Sequence, residues 1–113
     1  MMLVNSDGFQ RVCSINDLEE MKGKRFIVLD TDIAIFLVNK KIYALGNICP
    51  HQHSALIYDG FLEDEFVVCP AHGWKFNLTT GNTHNGGKGL QTYEVKLVGN
   101  DVFVKLEEKK FSW

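Results

Sequence analysis

The chain has 113 residues and a formal net charge of −2, which predicts one domain and offers no basic footprint for nucleic acid. No apolar run approaches the ~18 residues of a membrane span, and residues 1–10 lack the charged start and apolar stretch of a secretory signal, so a cytoplasmic chain without a membrane anchor is expected. Its cysteines are Cys13, Cys49 and Cys69.

In chain order, residues 9–13 alternate and predict a strand. Ser14 is a good helix N-cap, residues 15–21 then predict one or two helical turns, and Gly23 is the expected stop. Residues 25–29 are rich in β-formers. With a turn at 30–32 and a strand over 33–38 they predict a hairpin. Asn39, Lys40 and Lys41 turn the chain again, and a third strand over 42–45 leads towards Cys49. Residues 55–58 run into the turn signal Asp59-Gly60. Residues 61–62 and 66–68 predict a short hairpin that delivers Cys69, and 74–76 a strand that leaves it. Thr79 to Asn82 stop that strand, and residues 85–89 read as a flexible loop by composition. A strand over 90–98, a turn at 99–101 and a strand over 102–106 close the order; 107–113 read as a polar tail. Many short strands at near-regular spacing predict an all-β sandwich or small barrel.

Two short clips stand out. Cys49-Pro50-His51 is followed by seventeen residues and then by Cys69-Pro70-Ala71-His72. Each clip offers one thiolate and one imidazole, two or three residues apart, so one tight loop can present both. Each proline follows its cysteine and stiffens the loop. Cys49, His51, Cys69 and His72 are therefore the candidate ligands of one metal centre. Two alternatives stay open: a structural zinc site, and buried thiols and histidines without metal. Zinc sites space their ligands as C-x₂₋₄-C and H-x₃₋₅-H, whereas these clips are mixed. With two metal-bound cysteines, Cys13 is left without a disulfide partner and reads as a small buried hydrophobe, in keeping with a reducing compartment.

The pattern Cys-x-His, seventeen residues, Cys-x-x-His resembles the Rieske [2Fe-2S] family. The resemblance extends to Gly60-Phe61-Leu62, to Gly73-Trp74-Lys75-Phe76 after the second clip, to Thr80-Gly81, and upstream to residues 42–45. It implies a base domain of antiparallel strands with an inserted cluster-binding subdomain over about 46–76, the whole of 1–113 forming one Rieske domain. It also implies one [2Fe-2S] cluster held by Cys49, His51, Cys69 and His72. In such centres two histidines replace two cysteines on one iron, which lowers the cluster's negative charge and raises its potential into a window of roughly −150 to +300 mV.

High-potential members carry extra cysteines that staple the two loops; the matching positions here are Ser54 and Ala71. Those members also aim a serine and a tyrosine hydroxyl at the cluster sulfurs, where this chain has Trp74 and Phe76. The low end of the window, near ~−150 mV, is therefore expected. His53 and His84 are read as exposed rather than ligating, Trp74 as packing beside the loops, and Asp59, Glu63, Asp64 and Glu65 as a solvated acidic turn.

No nucleotide-binding glycine motif and no second catalytic centre is legible. The resemblance thus implies a soluble Rieske-type ferredoxin, an electron carrier rather than an enzyme with its own substrate. It would take electrons from a flavin-dependent reductase and pass them to a terminal oxygenase. The rival is the small subunit of an NADH-dependent assimilatory nitrite reductase, with that enzyme's large subunit as acceptor. A Rieske-like module with a regulatory or structural role is the third possibility.

Overall fold

The computed structural model describes residues 8–49, 54–70, 73–83 and 89–106. They form strands β1 (Phe9–Ser14), β2 (Lys22–Val28), β3 (Thr31–Val38), β4 (Lys41–Gly46), β5 (Phe61–Glu63), β6 (Phe66–Val68), β7 (Lys75–Asn77), β8 (Thr92–Tyr93), β9 (Val95–Val98) and β10 (Asp101–Lys105). Three sheets result, ordered β1-β10-β9, β2-β3-β4-β8 and β5-β6-β7, and their strands pair antiparallel. The all-β antiparallel expectation holds. Among the described residues no helix is long and apolar enough to cross a membrane.

Strand β3 is the centre. Its run Ile33-Ala34-Ile35-Phe36 is fully buried, although successive side chains point to opposite faces. Ile33 and Ile35 enter one apolar cluster with Cys13, Val102 and Val104 from the β1-β10-β9 sheet. Ala34 and Phe36 enter another, with Cys49, Ile57, Val67, Cys69 and Phe76. One face of the β2-β3-β4-β8 sheet thus closes a sandwich, and the other carries the segment that holds the two clips. The tight turns flanking β3 make this possible. Leu29 and Asp30, then Asn39 and Lys40, all have positive φ, the geometry of two-residue turns whose twist matches that of the strands.

Two expected elements differ. Ser14 does cap a helical turn: its side chain accepts from Asn16 N–H, while its own N–H donates to the Asp17 carboxylate at 3.0 Å. That turn covers only Ile15–Asp17. Leu18 is already extended and buried in the sandwich core, and Met21 N–H donates to Leu37 C=O at 2.7 Å. Contacts with the core have replaced local helix formation. Gly23 is no stop signal either; it lies within β2.

The strand expected over 90–98 is two strands in different sheets. Thr92 and Tyr93 pair with β4, whereas Val95–Val98 pairs with β10. The break falls at Glu94, where the chain crosses from one layer of the sandwich to the other. The expected loop over 85–89 and tail over 107–113 lie outside the described residues, except Gly89.

Candidate metal centre

Each clip begins where a strand ends. The first follows β4. Cys49 N–H donates to Ser54 C=O at 3.0 Å and Ile57 N–H to Asn47 C=O at 3.2 Å, while Ile48 bridges Ala55. Residues 47–49 and 54–57 are thus a stem that closes the loop. The second clip follows β6. Cys69 N–H donates to Trp74 C=O at 2.8 Å, and Gly73 N–H to Cys69 C=O at 2.9 Å. Gly73 takes φ +73°, a conformation that glycine adopts without a Cβ penalty. Both clips share one device: the cysteine N–H closes onto the carbonyl five residues on.

Cys49 and Cys69 are both fully buried, neither is in a disulfide, and both enter the same apolar cluster. Phe76 is fully buried in that cluster, and Trp74 packs against it. The structure therefore brings together the two predicted thiol ligands, from segments twenty residues apart in sequence, in a site screened from water. Soft thiolates in an apolar shell suit an iron–sulfur centre. The predicted imidazole ligands His51 and His72 lie outside the described residues, as do Ala71, His53 and His84. Among the described residues no group of three or more His, Cys, Asp or Glu could hold a metal elsewhere. Cys13 sits apart, in the sandwich core; burial first, then the nearby Asp17, pushes its thiol pKa up.

The acidic run is exposed. It is not uniformly free, since Glu63 pairs with Lys75 at 2.6 Å across the small sheet.

Sequence reading missed the support of the first clip. Asn47 is fully buried and joins Asp32, at the start of β3, to Tyr58. Arg25 of β2 grips the Asp32 carboxylate from the other side, at 3.0 and 2.7 Å. Those hydrogen bonds, from Arg25 first and then Asn47, hold the Asp32 carboxyl below the usual carboxylate range, and the same pairing raises the Arg25 guanidinium. The available signal was a lone amide between an apolar strand and a cysteine.

The comparisons with known proteins agree with this geometry. Residues 8–94 match the family model described as the Rieske [2Fe-2S] domain. A 3-phenylpropionate/cinnamic acid dioxygenase ferredoxin subunit from Shigella flexneri is 35% identical over 101 residues, covering 85% of this chain and 92% of that protein. The chain also superposes on a structure titled as the complex of reduced oxygenase and oxidized ferredoxin in carbazole 1,9a-dioxygenase, with a TM-score of 0.79 and 25% identity over 94% of this chain and 100% of that one. A putative NADH-dependent nitrite reductase small subunit from Mycobacterium tuberculosis gives a TM-score of 0.80 at 19% identity, over 85% and 92% of the two chains; that likeness shows the fold alone. With paired buried thiols at the starts of two closed loops, and a family match that spans both clips, the chain belongs to the Rieske [2Fe-2S] domain family, whose cofactor is one Rieske-type cluster.

Proposed function

We propose that this chain is a one-electron carrier of the ferredoxin type, in which Cys49 and Cys69 supply the thiolates, and His51 and His72 the imidazoles, that hold one [2Fe-2S] cluster. When bound, such a cluster takes up and returns single electrons at a potential between roughly −150 and +300 mV. The residues of this chain bind it, orient its loops and keep water from its thiolate side. The observation that carries this is the shared burial of Cys49 and Cys69 in one apolar cluster, each at the mouth of a loop closed by its own N–H. Residues 46–76 form the cluster-binding subdomain, inserted in the base sandwich of a single domain. No disulfide joins Cys13, Cys49 or Cys69, which supports a cytoplasmic setting.

The donor is a flavin-dependent reductase and the acceptor a terminal oxygenase. The relative named as a dioxygenase ferredoxin subunit supports this, as does the likeness to a ferredoxin seen in complex with its oxygenase. The test is a reconstituted chain of NADH, reductase, this protein and oxygenase, with product formation as readout. Turnover that depends on this protein is the expected result. No turnover with any such oxygenase, together with co-purification with a large sirohaem-containing subunit, would instead assign it to a nitrite reductase.

A further inference from the structure

Every polar group of Asn47 is engaged, although the residue is fully buried. Its Nδ2 donates to Asp32 Oδ1 at 2.9 Å and its Oδ1 accepts from Tyr58 N–H at 2.7 Å. Its own N–H donates to Asp32 C=O at 3.0 Å, and its C=O accepts from Ile57 N–H at 3.2 Å. The chemistry selects an amide. A carboxylate only accepts and a peptide N–H only donates, so the side chain between them must donate at one end and accept at the other. Leucine would leave the Tyr58 N–H unpaired and take from the Asp32 carboxylate one of its hydrogen bonds, a loss in a buried place. Aspartate would set two carboxylates against each other.

This junction fixes where the first clip stands. Asn47 precedes Cys49 by two residues, and the stem of the clip folds back to Ile57 and Tyr58. The Tyr58 peptide is held from both sides. Asn47 takes its N–H, and its carbonyl is pressed against β2 at Gly23, where a Cβ would come within 2.5 Å of both the Tyr58 oxygen and the Phe36 ring. Arg25 holds Asp32 from the solvent side. The second clip stands on a different support, the β5-β6-β7 hairpins. The stem runs on into β5 and packs at Gly60 against the Val68 carbonyl, so the separation of the two thiols is set jointly by the stem and those hairpins.

We infer that Asn47, oriented by Asp32 and Arg25, is a positioning residue that fixes Cys49 relative to Cys69 for cluster binding, an inference that rests on the proposed ligation by Cys49. Misplacing the first clip strains the ligand set, so the iron leaves faster and the centre becomes heterogeneous.

The test compares the loaded parent with Arg25→Gln, Asp32→Asn, Asn47→Asp and the double variant Asp32→Asn/Asn47→Asp. All are measured where circular dichroism shows them folded. The readouts are the rate of bleaching by an iron chelator and the EPR line shape of the reduced protein. Asn47→Asp is expected to bleach about tenfold faster, the scale of losing an outer-shell partner of a metal ligand, with broadened EPR lines. In the double variant the amide now at position 32 donates to the carboxylate now at position 47, and the bond re-forms with its direction reversed. It should bleach more slowly than the two single changes combined predict. Arg25→Gln, which alters only the exposed end, should show a smaller acceleration, and it carries the test if Asn47→Asp does not fold. Variants that melt earlier yet bleach and resonate like the parent would overturn the inference, as would a double variant that bleaches as fast as the two single changes combined predict. A parent that holds no cluster would overturn the ligand assignment itself, a different outcome from a loaded parent whose variants match it.

Discussion

Gly89→Ala should be among the most damaging single-methyl changes in this protein. Gly89 has no positive φ, so alanine meets no backbone penalty there. The obstacle is contact. A Cβ at Gly89 would fall on the Gly81 carbonyl oxygen, 2.7 Å from its carbonyl carbon and 2.8 Å from Asn82 Cα. Non-bonded carbons settle at about 3.5–4.0 Å, so the two segments must part by roughly 1 Å. Two hydrogen bonds lie in the path: Leu90 N–H to Gly81 C=O at 2.7 Å and Gly81 N–H to Asn77 C=O at 2.7 Å. Overpacking costs about 1–3 kcal/mol and each bond about 1 kcal/mol. The total is about 3–5 kcal/mol, a large share of a stability of roughly 5–15 kcal/mol.

At about 4 °C per kcal/mol for a chain of this size, the melting temperature should drop by roughly 12–20 °C. Gly99→Ala is the control. Gly99 has φ +61° and nothing within 4 Å of its would-be Cβ, so only the left-handed backbone is penalised, at roughly 1–2 kcal/mol. Thermal unfolding followed by far-UV circular dichroism measures both. The damage at Gly89 should also reach the first clip, because Gln91 C=O, two residues on, accepts from Gly46 N–H at 2.8 Å. A Gly89→Ala protein that melts no earlier than Gly99→Ala would refute the close approach of these segments.

Three further outcomes are expected. Phe76→Tyr places a hydroxyl in the apolar cluster that contains both cysteines. A hydrogen bond to a charged group is worth about 1.5–3 kcal/mol, so the midpoint potential in redox titration should rise by roughly 65–130 mV; an unchanged or lowered potential counts against the tuning. Cys69→Ser should abolish the visible absorption of the reconstituted protein, whereas Cys13→Ala should keep it and lose about 1–2 kcal/mol in denaturant titration; a colourless Cys13→Ala would place that thiol in the centre. Because the Asp32 carboxyl is held below its usual value, its contribution to stability is present above the unfolded value of about 3.9 and fades as pH falls through the lower folded value. Melting temperatures taken from about pH 5 to about pH 2 should therefore fall more steeply for the parent than for Asp32→Asn; parallel curves would show that the pair contributes nothing.

Much of the strand order was legible because alternation and turn chemistry are local. The hairpin ends at Asn39-Lys40 and at Asp64, where φ is positive, fall where the turn residues stand in the sequence. The two clips were legible for the same reason, since ligand spacing is written in consecutive residues. What stayed hidden depends on partners far along the chain. Gly23 looks like a helix stop until the Phe36 ring and the Tyr58 carbonyl are seen above it. Leu18 leaves its helical turn because the sandwich core buries it. Residues 92–98 read as one strand because nothing local marks the change of sheet at Glu94. The apolar run of β3 is buried on both faces, which its prediction as one arm of a hairpin left unread. Asn47 gave the faintest signal, since an amide shows its role only when its two partners, eleven and fifteen residues away, are in view.

Low-temperature EPR of the dithionite-reduced protein, reconstituted anaerobically with iron and sulfide, tests the central claim most directly. The expected result is the anisotropic signal of a mixed-valence [2Fe-2S] centre with nitrogen ligands, at about one spin per chain. A spin-silent, colourless protein would contradict it, as would a signal in which pulsed EPR detects no nitrogen hyperfine coupling.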